Sequence, residues 1–348
     1  MTVRVLHLVG SASSEFLCDL SRLYAEDCLD STEDPARYEF HIAYVTPDLR
    51  WRFPTKLDPE TIRSAPPMGL SDAVGYICTL KPDVVVPQMF CLPGMTSYRA
   101  LFDTLGIPYV GNTPDVMALG AHKARAKAIV AAAGVLVPTG EVLRRGDTPN
   151  LLPPVVVKPV DGDNSLGVTL VREFSGYPVA LEIAFAHSDE VLVESYIELG
   201  REVRCGIIDQ DGELLCLPLE EYNVHPETKP VRDHDDKISR TSAGGLYLVA
   251  KDNTKAWIVD QQDPITQQVW DAAKKCHLAL GARHYSLFDF RIDSGGRPWF
   301  LEAGLYCSFA QNSVITVMAE AAGIPLQKLF YDAVQEAVAP SRSLSKRP

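Results

Sequence analysis

A lysine closing an apolar run is the first side chain that calls for a chemical reason. VVVKPVDGDNSLGVTL, from Val155 to Leu170, buries three valines and then ends on Lys158. The loop after it, DGDNSLG, is not a P-loop, because its lysine precedes the glycines. Its small residues, Ser165 and Gly167 among them, leave backbone N–H groups able to approach phosphate oxygens. Taken alone, the stretch is equally an exposed hairpin with a flexible tip. FDFRID and WFLEAG then set Asp289 and Glu302 on two strands joined by Ser294-Gly295-Gly296. Alternation puts Arg291 on the same face as Asp289. Two carboxylates on adjacent strands are hard oxygen donors suited to Mg²⁺, which takes one or two carboxylates plus substrate phosphates. Each acid alone reads as a solvated strand residue. VLVESYIELGREVR adds a strand ending at Glu194, a link through Ser195, Tyr196 and Ile197, and Glu202 opening the next strand. Such a link can offer backbone groups to an adenine edge and a carboxylate to ribose hydroxyls, although Glu202 by itself reads as a salt-bridged surface acid.

The elements that must position these groups alternate. Val3 to Leu8 predicts a strand, Glu15 to Cys28 a helix, Tyr38 to Val45 a strand, Asp72 to Leu80 a helix and Pro82 to Gln88 a buried strand. That order implies α/β architecture, a parallel sheet with ligand-facing loops at the strands' C-terminal ends. Ala118 to Ala133 predicts one helix closed by Gly134. From Pro153 the pattern turns to antiparallel strands: Val155 to Pro159, Gly167 to Val171, Glu190 to Ser195, and a hairpin at Gln210-Asp211-Gly212. Glu220 to Gly245 reads as a long polar loop. Pro264 to Leu280 returns to helix, Tyr285 to Ile292 and Pro298 to Leu301 to strand, and Pro325 to Ala337 to a last helix.

Bulk composition narrows the partners. The chain has 348 residues, a length that suggests two or three domains, and a net charge of -12 that argues against a nucleic-acid surface. Its eight cysteines are scattered, with no C-x-x-C, and read as reduced thiols of a cytoplasmic protein. No window approaches the roughly 18 apolar residues of a membrane span, so no membrane partner is expected.

Lys123 in ALGAHKARAKAIV, Lys158, Glu194, Glu202, Asp289 and Glu302 fall in the order and spacing of the ATP-grasp superfamily, and the chain resembles its D-alanine–D-alanine ligase branch from about Pro82 to Phe330. The resemblance implies an ATP-grasp fold, α+β in its ATP-binding lobes. Residues 1–117 would form an N-terminal α/β domain, 118–200 a central lobe and 201–348 a C-terminal lobe, with ATP between the last two. It implies that Lys123 and Lys158 contact ATP phosphates, the Ser165 and Gly167 loop closes over them, and Glu194, Ser195, Tyr196 and Ile197 form an adenine hinge. Glu202 would hold the ribose, Lys237 would reach the γ-phosphate, and Asp289 and Glu302 would hold Mg²⁺, or Mn²⁺ in its place. The implied reaction is ligation of a carboxylate to an amine through an acyl phosphate, on small amino-acid-type substrates, by a homodimer as is common in the branch.

The substrate side departs from the family pattern. QMFCLPGMTSYR, Gln88 to Arg99, stands where the family has a histidine and an acidic pair. Leu287 replaces the family arginine two residues before Asp289, and Arg291 is the expected substitute. Gly304 replaces the asparagine of the metal motif, and Ser313 falls where a serine meets the acceptor's carboxylate. Glu15 is either a substrate-amine ligand or an ordinary acid at a helix N-terminus. Cys307 reads as a buried thiol rather than a nucleophile. These departures point to substrates other than two D-alanines. A true D-alanine–D-alanine ligase, an intramolecular cyclo-ligase and an inactive ATP-binding protein are the alternatives.

Overall fold

The computed structural model describes residues 2–162, 165–210, 212–225, 231, 238–240, 246–248 and 255–339. The chain opens with strand β1 (Val3–Gly10), helix α1 (Glu15–Thr32), β2 (Tyr38–Val45), β3 (Trp51–Arg52), α2 (Pro59–Ser64), α3 (Leu70–Leu80), β4 (Val84–Pro87), α4 (Leu92–Met95) and α5 (Ser97–Leu105). Helices α6 (Pro114–Ala121) and α7 (Lys123–Ala132) follow, then β5 (Gly140–Arg144), β6 (Val155–Pro159), β7 (Thr169–Val171), α8 (Tyr177–Phe185) and β8 (Glu190–Ser195). The last third holds β9 (Arg201–Gln210), β10 (Glu213–Cys216), β11 (Glu220–Tyr222), β12 (Ile238–Arg240), β13 (Leu246–Leu248), β14 (Ala256–Ile258), α9 (Pro264–Leu280), β15 (Tyr285–Ile292), β16 (Pro298–Gly304), α10 (Val314–Ala321) and α11 (Leu326–Val338).

Three sheets carry the architecture. The first, β3-β2-β1-β4, pairs β1 in parallel with β2 and β4, as the βαβ pattern predicts. At its C-terminal edge Gly10 adopts φ +97°, and a Cβ there would meet the Val45 carbonyl oxygen at 2.0 Å, so only glycine lets the chain turn into the Ser11–Ser14 loop. Ser14 caps α1 by accepting from the Leu17 N–H. The second sheet, β5-β8-β6-β7, is antiparallel and closes on α8 through Val155, Val157, Val193 and Ala180. The third runs β14-β11-β9-β15-β16, with β10 also on β9. Its inner face packs Phe288, Phe290 and Phe300 against Val269 and Ala273 of α9 and Ala126 and Val130 of α7. Each fully buried phenylalanine contributes roughly 1.5–3 kcal/mol.

Two expectations fail locally. The single helix over Ala118 to Ala133 is two helices, because His122 turns out to extended backbone (φ -95°, ψ 94°) and its ring accepts from the Arg125 N–H, capping α7. This break sets Lys123 in the first turn of α7, where its N–H donates to the Val160 carbonyl just beyond β6. The stretch Glu220 to Gly245 is not all loop: it contains β11 and β12, the former inserted between β14 and β9. Strand β5 and helix α10 also went unread. Among the described residues no helix is long and apolar enough to cross a membrane.

Candidate active site

The second and third sheets face each other across a cavity, and their strand registers decide which side chains enter it. On the third sheet, Asp289 of β15 lies opposite Arg204 of β9 and opposite Glu302 of β16, while Arg204 lies opposite Glu220 of β11. Directly paired residues share a face, so one row across four strands reads Glu220, Arg204, Asp289, Glu302. Two residues along, Arg291 lies opposite Glu202. A register shift between Asp289 and Phe290 places Phe290 opposite Phe300, keeping the aromatics on the core face beneath the charges.

On the second sheet, Val156 of β6 pairs with Glu194 of β8, and Lys158 with Leu192. Lys158 reaches along that face to Glu194 at 2.5 Å, and Lys127, one helical turn beyond Lys123 on α7, meets the other Glu194 oxygen at 3.1 Å. Both lysines and the carboxylate are buried. Burial alone would raise the Glu194 carboxyl, but the Lys127 and Lys158 ammonium groups outweigh it and hold it below the usual range. Burial pulls Lys127 down to about 8, against the opposing pull of Glu194. Lys127 also donates to the Phe300 carbonyl at 3.0 Å, which ties α7 to β16.

The cavity between the sheets is lined by Lys123, Lys158, Ser165, Glu194, Ser195, Ile197, Glu202, Asp289, Arg291 and Glu302. Ten of the fourteen residues singled out from the sequence therefore converge on one space. Lys123 donates to the Gly162 carbonyl and lies 3.4 Å from Glu302. Gly167, at φ +73°, sits against Pro159, where a Cβ would approach Cγ to 2.9 Å; it shapes the loop without lining the cavity. Tyr196 stacks its ring under the Arg291 guanidinium at 5.4 Å. Lys237 lies outside the described residues.

Two residues make local partners that the sequence did not indicate. Arg291, expected as an oxyanion guanidinium, lines the cavity with Asp289 and donates to Glu202 at 2.8 Å and to the Ile197 carbonyl at 3.2 Å. The cause is register, since β9 places Glu202 rather than an open site opposite it. Ser313 does not line the cavity; it precedes α10 and exchanges a 2.8 Å hydrogen bond with Thr316. Cys307 is buried, and burial pushes its thiol up to about 12, which removes it as a nucleophile at neutral pH.

The guanidinium beside Asp289 belongs to Arg204. It grips the carboxylate with two donors, Nε to Oδ1 and Nη2 to Oδ2, the latter at 2.7 Å, and lies over the Tyr222 ring at 5.2 Å. Burial works against its charge, Asp289 outweighs burial, and the group is held above its ordinary range. Tyr222 donates to Glu220 at 2.5 Å. Arg204 is two residues from Glu202 on the same strand face, and Lys127 four from Lys123 on the same helix face. Periodicity alone could have nominated both. Nothing in the sequence nominates Glu220.

Outside the cavity lining, an aromatic cluster packs where α1 meets the segment after β4. Phe90, just beyond β4, packs on Tyr24 of α1 at 5.4 Å between ring centroids and on Tyr306, four residues past Glu302, at 5.3 Å. Leu20 completes the group.

Residues 147–335 match the family model described as D-ala D-ala ligase C-terminus. A D-alanine–D-alanine ligase of Methylorubrum populi is 30% identical over 276 residues, 76% of this chain and 84% of that protein. One from Citrifermentans bemidjiense is 31% identical over 69% of this chain and 74% of its own. Among solved structures, the VanG D-Ala:D-Ser ligase from Enterococcus faecalis superposes with a TM-score of 0.75 at 23% identity, covering 96% of this chain and 99% of that one. A D-alanine–D-alanine ligase from Bacillus anthracis complexed with ATP gives 0.70 at 22% identity, over 97% of each chain.

Proposed function

Since the chain belongs to the D-alanine–D-alanine ligase family, ADP-forming ATP-grasp ligases that make C–N bonds, we propose that its cavity binds ATP and joins an amino-acid-type carboxylate to an amine other than in the D-alanine pair. The observation carrying this reading is the convergence of Lys123, Lys158, Glu194, Glu202, Asp289 and Glu302 on one cavity between two sheets. In the reading, ATP lies between the lobes. Lys123 and Lys158 bind its phosphates, the Ser165 and Gly167 loop covers them, and Ser195 to Ile197 offers backbone groups to adenine. Glu202, held by Arg291, faces the ribose, and Lys237 reaches toward the γ-phosphate. The substrate carboxylate attacks the γ-phosphorus and ADP departs; the amine then attacks the acyl phosphate, loses its proton, and expels inorganic phosphate. Cations around the phosphates stabilise the charge that moves in the first step, and a closed cavity keeps water from the acyl phosphate.

Among the described residues no group of three acidic, histidine or cysteine side chains is placed to cage a metal. Of Asp289 and Glu302, paired across β15 and β16, Glu302 would offer hard oxygen to the Mg²⁺ or Mn²⁺ that comes with the phosphates, Arg204 gripping both oxygens of Asp289, and the ion would neutralise the transferring phosphoryl group.

The substrate part of the proposal rests on the segment after β4. Gln88 to Arg99 carries Met89, Phe90 and Leu92 and no acid or histidine where the family pattern has a histidine and acids, which favours a substrate with an apolar side chain. The second reading, a ligase of two D-alanines, is favoured by the activity in the names of the Methylorubrum and Citrifermentans relatives. ADP release measured with ATP, Mg²⁺ and a panel of single and paired D- and L-amino acids separates the two. The proposal expects turnover with an apolar amino acid at least tenfold above D-alanine alone. Preference for D-alanine alone overturns the substrate part, and nucleotide binding without turnover on any pair overturns the ligase part.

A further inference from the structure

Arg204 occupies both oxygens of the acid that would otherwise hold metal. It belongs to no part of the nucleotide site as described above, and it does not line the cavity. Its environment fixes it there. One donor pair faces Asp289, the Tyr222 ring lies beneath the guanidinium plane, and Glu220 stands opposite it on the next strand. The Glu220 carboxylate in turn accepts from the Tyr222 hydroxyl. A two-donor guanidinium–carboxylate pair is the strongest geometry open to these groups, and breaking it in a buried setting leaves an uncompensated charge. A divalent ion on Asp289 would have to displace that cation while sitting beside it. Position 304 points the same way: Gly304, on β16 opposite Leu287, brings no side-chain oxygen to the row.

We propose that Arg204 is a built-in cation that takes one metal's place on Asp289, so that the ATP-loaded site holds a single divalent ion, with Glu302 as its protein ligand. Arg204 is thus a positioning residue. It neutralises Asp289 from the neighbouring strand of the same face and leaves phosphate oxygens to complete the coordination of one ion. This inference rests on the ATP-site reading above.

The test counts Mn²⁺ directly, by the electron paramagnetic resonance signal of the free ion, as the full-length protein is titrated with saturating non-hydrolysable ATP analogue. Wild type is expected to bind one Mn²⁺ per protein-bound nucleotide, and Arg204→Ala two, because the freed Asp289 carboxylate then accepts a second ion. Arg204→Gln serves if Arg204→Ala does not fold. Two ions on the wild type overturn the inference, as does a count of one on a folded Arg204 variant. Failure of the analogue to bind the wild type is a different result: it removes the ATP-site reading, and the inference falls with it.

Discussion

Glu194 carries the heaviest electrostatic duty of any single residue in the site. Its carboxylate sits between the ammonium groups of Lys127 and Lys158, with all three side chains buried. The sequence placed Glu194 at an adenine hinge; its side chain turns to meet Lys158 and Lys127. Glu194→Gln keeps the shape and removes the charge that both lysines share. Taking one partner from a buried ion group costs about 3–5 kcal/mol, so a clear fall in melting temperature is expected, together with ATP affinity at least tenfold weaker. Unchanged stability and affinity in calorimetry would mean that the lysines are held by something else. The same residue explains why Lys158 ends an apolar strand: it has a buried partner on β8, and it points from there into the cavity.

At the scale of elements, what could be read from the sequence was whatever rests on local periodicity. Strand β15 alternates aromatic and charge from Phe288 to Arg291, and the structure keeps Asp289 and Arg291 on one face and Phe288 and Phe290 on the other. The parallel order of β1, β2 and β4 followed from strand and helix alternation, and α9 from its Asp263 cap and Gly281 stop. What escaped was set by pairing between distant segments. Arg204 meets Asp289 across 85 residues of chain, a distance at which no local rule specifies register. Strand β11 is three residues long and is a strand only because β9 and β14 flank it. The break at His122 was missed because HKARAK has good helical propensity on both sides; the turn is fixed instead by the Lys123 N–H reaching the Val160 carbonyl. The partner of Arg291 escaped for the same reason: its sequence neighbour is Asp289, whereas Glu202 lies opposite it on β9.

Over the whole molecule, the N-terminal sheet is welded to the C-terminal helices through a core holding Val5, Val84, Val86, Phe309, Leu329 and Phe330. Two neutral histidines sit in or near that joint. His7 lies in rings, edge-on to Phe40 at 4.7 Å and stacked on Phe330 at 6.3 Å, while His284 Nδ1 accepts from the Gly111 N–H. Burial lowers each to about 3 from an ordinary 6.5. Above pH 6.5 both are neutral folded or unfolded. Between 6.5 and about 3 only the unfolded chain takes up the proton, so stability falls as pH drops through that window. At pH 5 each histidine accounts for about 2 kcal/mol of that loss. Urea unfolding of wild type and His7→Leu at pH 7.5 and pH 5 should show the variant losing less stability than wild type by about that amount; equal losses would place His7 in contact with water or an acid. The cavity proposed to hold ATP, by contrast, depends on the two sheets facing each other, and in that proposal its decisive residue is Lys158. Lys158→Met should fold, leaving Glu194 to Lys127, while ADP formation drops at least a thousandfold in an assay coupled to ADP release. ADP formation by a folded Lys158→Met protein at the wild-type rate would contradict the assignment of this cavity to the phosphates of ATP.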